Sequence, residues 1–176
     1  MKKIAIAIVS LCLLFTGCSS KMELKKHTFT YELGSDVFAN PNLYVKDADR
    51  YDLTDVKIVP QSKGLSKVDN HFVNEKKDYL VCGTYSFTLV DGRNKIPFNI
   101  KIKDTKAPNV AASPSEIHVS KGEVPDFQSA FQASDLSGVN YDATWDTTIT
   151  GSYDITVRIY DRFGNAQEKK VTLVVE

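Results

Sequence analysis

Gly151-Ser152-Tyr153-Asp154-Ile155-Thr156-Val157-Arg158-Ile159-Tyr160 is the stretch that decides the fold. Tyr153, Ile155, Val157 and Ile159 fall on one face, and Ser152, Asp154, Thr156 and Arg158 on the other. This alternation has the period of a β-strand with one face buried. The chain then runs into Asp161-Arg162-Phe163-Gly164-Asn165. Asp and Asn favour turns and Gly supplies a positive φ, so a turn is expected there. A final alternating strand follows at Val171 to Val175. One apolar face needs a second layer to cover it, so these strands predict an antiparallel β-sandwich.

Working outward, the same pattern occurs twice. Gly83-Thr84-Tyr85-Ser86-Phe87-Thr88-Leu89 matches Gly151 to Val157 at an offset of 68, with Tyr85, Phe87 and Leu89 predicted inward. Thr30-Tyr31-Glu32-Leu33-Gly34 matches His118-Val119-Ser120-Lys121-Gly122 at an offset of 88, which also carries Asp47 onto Asp135. The first copy therefore holds 20 extra residues between Asp47 and Gly83. Phe29, Tyr31 and Leu33 alternate at the start of the first copy, as do Ile117 and Val119 in the second. The polar linker Asp104-Thr105-Lys106-Ala107-Pro108 separates the copies, giving expected domains at 27–104 and 105–176. No stretch keeps helical periodicity for three turns. Pro97 removes a ladder donor, which predicts an edge position for the last strand of the first copy.

The Asp104-Thr-Lys-Ala-Pro108 opening, Gly122, Asp135, Gly151-Ser-Tyr153 and Tyr160-Asp-Arg-Phe-Gly-Asn165 resemble the bacterial immunoglobulin-like domains of Gram-positive surface proteins. The likeness is good over 105–176 and looser over 27–104, where the insertion lies and Asp91-Gly-Arg-Asn94 is a shortened turn. It implies an all-β chain of two tandem immunoglobulin-like β-sandwiches. In such folds a tyrosine near the start of the penultimate strand bonds back to upstream backbone, a role that fits Tyr85 and Tyr153. These motifs are structural, so they speak for fold far more than for function.

The start of the chain carries an address. Met1-Lys2-Lys3 is basic, Ile4 to Phe15 is almost wholly apolar, and Thr16-Gly17-Cys18-Ser19-Ser20 closes with small residues. A membrane-spanning helix needs about 20 apolar residues, so this shorter run reads as an export signal over 1–17. Its end resembles the lipobox of bacterial lipoproteins, with Phe15 where that family prefers Leu. The resemblance implies cleavage before Cys18, a diacylglycerol on the Cys18 thiol and a tether over 18–26. Two acyl chains hold a protein on a membrane stably, where one does so only marginally. A tether of about eight residues spans at most ~28 Å, keeping the first domain near the membrane. The alternative is an ordinary cleaved signal that leaves Cys18 a free thiol.

The 176-residue chain has 22 basic and 22 acidic side chains, and removing Lys2 and Lys3 leaves 20 against 22. Such a balance gives no footprint for nucleic acid or anionic lipid, so membrane attachment falls to the lipid. The cysteines are Cys12, Cys18 and Cys82. With Cys18 lipidated, Cys82 lacks a partner and reads as a small buried hydrophobe.

No constellation for catalysis stands out. His27, His71 and His118 are scattered without metal-ligand spacing, no Gly-x-Ser-x-Gly elbow occurs, and no phosphate-cradling loop is present. Asp47, Asp49, Asp52 and Asp55 lie within nine residues but lack the Gly and terminal Glu of a calcium loop; a solvated turn is the expectation, with calcium left open. The Asp161 to Asn165 turn reads the same way. Tyr141, Ala143, Trp145 and Ile149 share one face and read as core, whereas Tyr160 and Phe163 read as exposed. The expectation is a non-catalytic surface lipoprotein, a binding or spacer module on the extracytoplasmic face of the cell membrane. No catalytic or metal site and no cofactor is expected. Its partners are the membrane and a protein or glycan, not nucleic acid, and its ligand is not specified. The alternative is a carbohydrate-recognition or accessory subunit of an envelope enzyme or transporter.

Overall fold

A computed structural model describes residues 21–176. In the first half, β1 (Thr28–Glu32), β2 (Lys57–Pro60), β5 (Gly83–Asp91) and β6 (Asn94–Lys103) form a sheet in the order β1-β6-β5-β2. A hairpin of β3 (Leu65–Val68) and β4 (His71–Asn74) lies within the 20-residue insertion and forms a separate pair. In the second half, β8 (Glu116–Val119), β10 (Asn140–Asp142), β11 (Gly151–Tyr160) and β12 (Ala166–Val175) form a sheet in the order β10-β11-β12-β8. The short strands β7 (Asn109–Val110) and β9 (Ala133–Ser134) make the other layer.

The two large sheets have one topology. Each has a long antiparallel hairpin at its centre, β5–β6 or β11–β12. Each has the opening strand added parallel to the closing one, β1 on β6 and β8 on β12. Each has a short antiparallel strand on the far side, β2 or β10. This is the arrangement of tandem immunoglobulin-like sandwiches. The parallel pair at one edge lays the opening strand of each module beside its closing strand, both running the same way, so the chain enters and leaves at opposite ends.

The alternating residues face as the pattern requires. Ile155, Val157 and Ile159 are buried with Ile117, Val119, Phe131, Val171, Leu173 and Val175 in one cluster. Tyr85, Phe87 and Leu89 are buried in another, with Phe29, Tyr44, Phe72, Phe98 and Ile100. The first core is aromatic: Phe87 stacks on Phe98 at 5.7 Å, Phe72 meets Phe87 at 4.8 Å, and Tyr44 meets Phe29 edge-on at 4.9 Å. Such offset and edge-on contacts suit the ring quadrupoles. Tyr44 lies in the insertion's approach and donates its hydroxyl to Phe38 O at 2.7 Å. Burial drives the Tyr44 phenol far above its ordinary value.

Both expected tyrosine corners form. The Tyr85 hydroxyl donates to Val81 O at 2.9 Å and that of Tyr153 donates to Ile149 O at 3.0 Å, four residues upstream in each case. The Tyr85 ring is buried, but that of Tyr153 is only half-buried. A Cβ on Gly151 would come within 3.3 Å of the Tyr153 hydroxyl, so the small residue two places earlier leaves room for the corner.

Four features depart from expectation. The strand β6 lies inside the sheet rather than at its edge. Pro97 is tolerated because β1 reaches only Asn99–Lys103. Asn99 donates its N–H to His27 O at 2.9 Å, so the proline nitrogen two residues earlier faces the same side, beyond the end of β1. Trp145 and Ile149 are exposed, at 37% and 63%, rather than core. The alternation that starts in β10 ends at Asp142, and Trp145 instead leans edge-on against Phe127 at 5.4 Å. A helix, α1 (Phe127–Phe131), was not legible as a period because it is five residues long. Asp126 caps it by accepting the Ser129 N–H at 3.0 Å, and Phe127 and Phe131 are buried. Lastly, the stretch read as tether joins the first sandwich from Met22 onward. Met22 is buried, and the Lys25 and Lys46 amides bond to Tyr44 O and Glu23 O.

Leu173 is fully buried at the centre of the second core. Leu173→Ala should cost about 2–5 kcal/mol. Tyr153→Phe, which removes only a half-exposed hydrogen bond, should cost about 1 kcal/mol. Tyr160→Ala, which loses a ring lying 4.4 Å from the Arg158 guanidinium, should cost under about 1 kcal/mol. Denaturant midpoints of the three variants would give this order; damage from Tyr160→Ala exceeding that from Leu173→Ala would invert the facing of β11 and β12.

Candidate metal centre

The linker is tied to both sandwiches. Leu33 N–H donates to Lys103 O at 2.7 Å, carrying the β1–β6 pairing past the end of the strands. Glu32 then turns the linker: its carboxylate accepts the Thr105 N–H at 2.8 Å and the Thr105 hydroxyl at 2.7 Å. From the other side, Asn165 Nδ2 donates to Asp104 O at 3.1 Å, and the Gln167 side chain donates to Pro108 O. Gly34 has φ +80° and comes against the Leu136 side chain so closely that a Cβ there would lie 2.5 Å from Leu136 Cδ1. The positive φ favours glycine there, and any side chain would force the exposed Leu136 side chain to move aside.

At this junction three carboxylates converge. Asp104 is in the linker, Asp135 follows β9, and Asp161 opens the β11–β12 turn. Each presents an oxygen within 4.8 Å of the others. Local hydrogen bonds orient all three, with Asp104 Oδ1 accepting the Lys106 N–H at 3.4 Å. Asp135 Oδ1 accepts the Ser137 N–H at 2.7 Å and the Ser137 hydroxyl at 2.8 Å. Asp161 Oδ1 accepts the N–H groups of Phe163 at 2.7 Å and Asn165 at 2.9 Å, and its Oδ2 accepts from Asn165 Nδ2 at 2.7 Å. Asp161 is 1% exposed. Asp104 Oδ2 is sealed from solvent and accepts no hydrogen bond.

Among the described residues, none of the three forms an ion pair. Two unit charges at this separation repel by about 3.5 kcal/mol at an effective dielectric of 20. The cluster therefore concentrates negative charge without a protein counter-charge in contact. The neighbouring Cys82 thiol feels it: burial pushes its pKa up, and the charges of Asp104, Glu32 and Asp161 push it further. An open cavity of about 430 Å³ adjoins the cluster, lined by Glu32, Asp104, Lys106, Asp135 and Leu136. All-carboxylate oxygen donors are the ligand set of hard cations.

The residues singled out in the sequence fall elsewhere. Cys18, the expected lipidation site, lies outside the described residues. Asp47, Asp49, Asp52 and Asp55 are exposed; Asp47 pairs with Arg50 at 3.7 Å and Asp52 accepts the Thr54 N–H at 3.0 Å, as in an ordinary solvated turn. His118 is bracketed by Glu176 at 2.8 Å and Glu116 at 3.5 Å, and its bond to Glu176 raises its pKa. His27 and His71 stand apart from it. Cys82 is half-buried against the first core, and Phe163 is 51% exposed. The three clustered carboxylates were visible in the sequence only as separate turn and linker motifs. A usable signal lies in the repeat: Asp47 maps onto Asp135, but the position of Asp161 is Arg93 in the first copy.

No family model matches the chain, and no curated protein matches it. Solved structures similar to it include human mucin-like protocadherin EC1-2, at 12% identity and a TM-score of 0.32 over 89% of this chain and 97% of that one. Drosophila OTK extracellular domains 3–5 give 14% identity and a TM-score of 0.36 over 89% and 62%. The fibronectin(III)-like modules of Clostridium thermocellum CbhA give 13% identity and a TM-score of 0.27 over 89% and 94%. The immunoglobulin-like assignment stands on the sheet order, strand pairing and cores of the chain itself.

The Glu32–Thr105 clip has a pH signature. The two hydrogen bonds from Thr105 hold the Glu32 carboxyl below its ordinary value. A depressed carboxylate contributes stability above its unfolded pKa and loses it as pH falls through the lower folded value. The Thr105 amide resonance should therefore titrate with a midpoint below about 4.3, and Glu32→Gln should abolish that titration. A midpoint at or above the ordinary glutamate value would mean the clip is not made in solution.

Proposed function

We propose that the chain is a non-catalytic surface module, held on the extracytoplasmic face of a bacterial membrane by lipid on Cys18, whose tandem sandwiches present a binding surface at a fixed spacing. The observation that carries this reading is the linker. Asp104 to Pro108 is bonded on one side by Glu32 and on the other by Asn165 and Gln167, so the modules are joined by structured backbone rather than by a loose hinge. No helix among the described residues is long and apolar enough to cross a membrane.

A protein partner is favoured over a glycan. A second junction cavity of about 370 Å³ is lined by Leu33, Tyr79, Val81, Leu136 and Phe163, with Lys77 and Arg162 at hand. Val81, Leu136 and Phe163 are 39%, 55% and 51% exposed. Three aliphatic side chains, two aromatic ones and a basic rim make a mixed apolar patch of the kind that packs against a protein rather than a row of aromatic faces for stacking sugars.

Two measurements test the reading. In fractionated cells the wild-type chain should sediment with membranes and carry diacylglycerol mass, and Cys18→Ser should accumulate as uncleaved precursor or appear in the medium. Unchanged mass and retention in Cys18→Ser would remove the lipid anchor. For the division of the chain, residues 105–176 alone should give a cooperative, modestly stable unfolding transition, since a core of about 70 residues is near the lower limit for independent folding. A disordered spectrum for that fragment would mean that the two modules fold only together.

A further inference from the structure

We propose that Asp104, Asp135 and Asp161 bind one calcium ion at the junction, fixing the linker onto the second sandwich. Two independent features point to a cation. The first is the convergence of three carboxylates, one of them 1% exposed, none of which is ion-paired to a described residue. The second is the solvent-sealed Oδ2 of Asp104, which has no hydrogen-bond partner in the protein. Buried carboxylate oxygens are otherwise satisfied almost everywhere, so an orphan oxygen in the middle of an acidic cluster marks the place of a missing ligand.

The chemistry selects the ion. The donors are all hard oxygens; His and Cys, which would favour zinc or copper, do not join the cluster. Calcium binds oxygens at 2.3–2.6 Å, so two of its ligands are at most about 5 Å apart. Every pair of the three carboxylates has oxygens within 4.8 Å of each other, inside the span across one calcium ion. Magnesium demands near-ideal octahedral geometry at about 2.0–2.1 Å and sheds water reluctantly, so it suits a cage of fixed protein carboxylates less well. Hydrogen bonds to Ser137, Phe163 and Asn165 hold two of the carboxylates in place before the ion arrives. The first module lacks a counterpart, because Arg93 occupies the position of Asp161.

The mechanical consequence follows from the connections. Asp104 belongs to the linker, and Asp135 and Asp161 belong to the second sandwich. The next residue, Thr105, is held by Glu32 of the first. An ion on Asp104 therefore closes a continuous path from β1 to β11. Occupancy in the cell rests on the surface placement proposed above, since extracellular modules work with dissociation constants of about 10⁻⁴–10⁻³ M; binding itself rests only on the junction.

The test uses the full chain extracted in nonionic detergent, stripped with a chelator and dialysed. Titration calorimetry with calcium chloride should show one site in that affinity range, and magnesium chloride should bind at least tenfold more weakly. A lysyl endopeptidase should cut after Lys103 and Lys106 at least fivefold more slowly with calcium than without. Asp104→Asn and Asp135→Asn should each weaken calcium binding at least tenfold and abolish the protection, while Asp49→Asn, in the exposed cluster of the first module, should change neither. No heat and no protection of the wild type at 10 mM calcium would overturn the proposal, as would undiminished binding in Asp104→Asn, loss of binding in Asp49→Asn, or magnesium binding as tight as calcium. Because the wild-type readouts need no variant, a misfolded substitution does not blunt the test. A chain that binds calcium yet is not membrane-held overturns the surface reading alone, and a membrane-held chain without calcium binding overturns this site alone.

Discussion

Ten consecutive pairs, from Gly151 opposite Val175 to Tyr160 opposite Ala166, lock β11 to β12, and the second module hangs on that register. The period of side-chain facing is two, so a slip by one residue would turn Ile155, Val157 and Ile159 to solvent and bring Asp154, Thr156 and Arg158 into the core. The same register fixes the turn. Asp161 can cap the Phe163 and Asn165 amides only because the strands end where they do. Asn165 then reaches the linker carbonyl of Asp104. Core packing and junction geometry are thus consequences of one ladder.

The opening strands complete this design at small cost in residues. Parallel addition of β8 to β12, and of β1 to β6, places the opening strand of each module beside its closing strand, with both ending at the same pole. At the junction this puts Glu32, at the end of β1, within reach of Thr105, two residues past the end of β6. A carboxylate that accepts both an amide and a hydroxyl from one residue fixes direction as well as distance. Charge-assisted bonds of this kind are roughly twice as strong as neutral ones. The linker owes its defined path to that pair rather than to its composition, which on sequence alone reads as an ordinary polar connection.

Much of the fold was legible because its signal is local. Strand facing in β5 and β11, the turn at 161–165 and the tyrosine corners all follow from residues within ten places of one another, and the repeat follows from comparing two such local patterns. What was missed is either too short for a period or assembled from distant segments. The five-residue α1 carries its signal only in the Asp126 cap. Trp145 and Ile149 continue a formal alternation, but the β10 ladder ends at Asp142, and alternation without a partner strand decides nothing about burial. Met22 is core although it looks like spacer, because an isolated apolar residue in a polar stretch has no pattern to reveal it. The acidic cluster joins positions 104, 135 and 161, and only the three-dimensional path of the linker brings them together.

The repeat explains why the cluster stands at one pole only. By the offset of 68 the equivalent of the Asp161 turn in the first module carries Arg93, and the cavity there is lined by Lys21, Asp91, Arg93, Asn94 and Lys95. That lining sets three cationic side chains against the single carboxylate of Asp91, so no acidic cluster forms there, and Lys25 and Lys46 nearby find partners in the Asn42 carbonyl and in Glu23. The chain entering the first module is held instead by apolar burial of Met22 and by the Leu24–Val45 bridge. The chain entering the second has no buried anchor before Pro108; its polar residues are held by carboxylates and amides. The two copies thus solve the same mechanical problem, securing the incoming strand, by different physics: dehydration of an apolar side chain in the first and concentrated charge in the second.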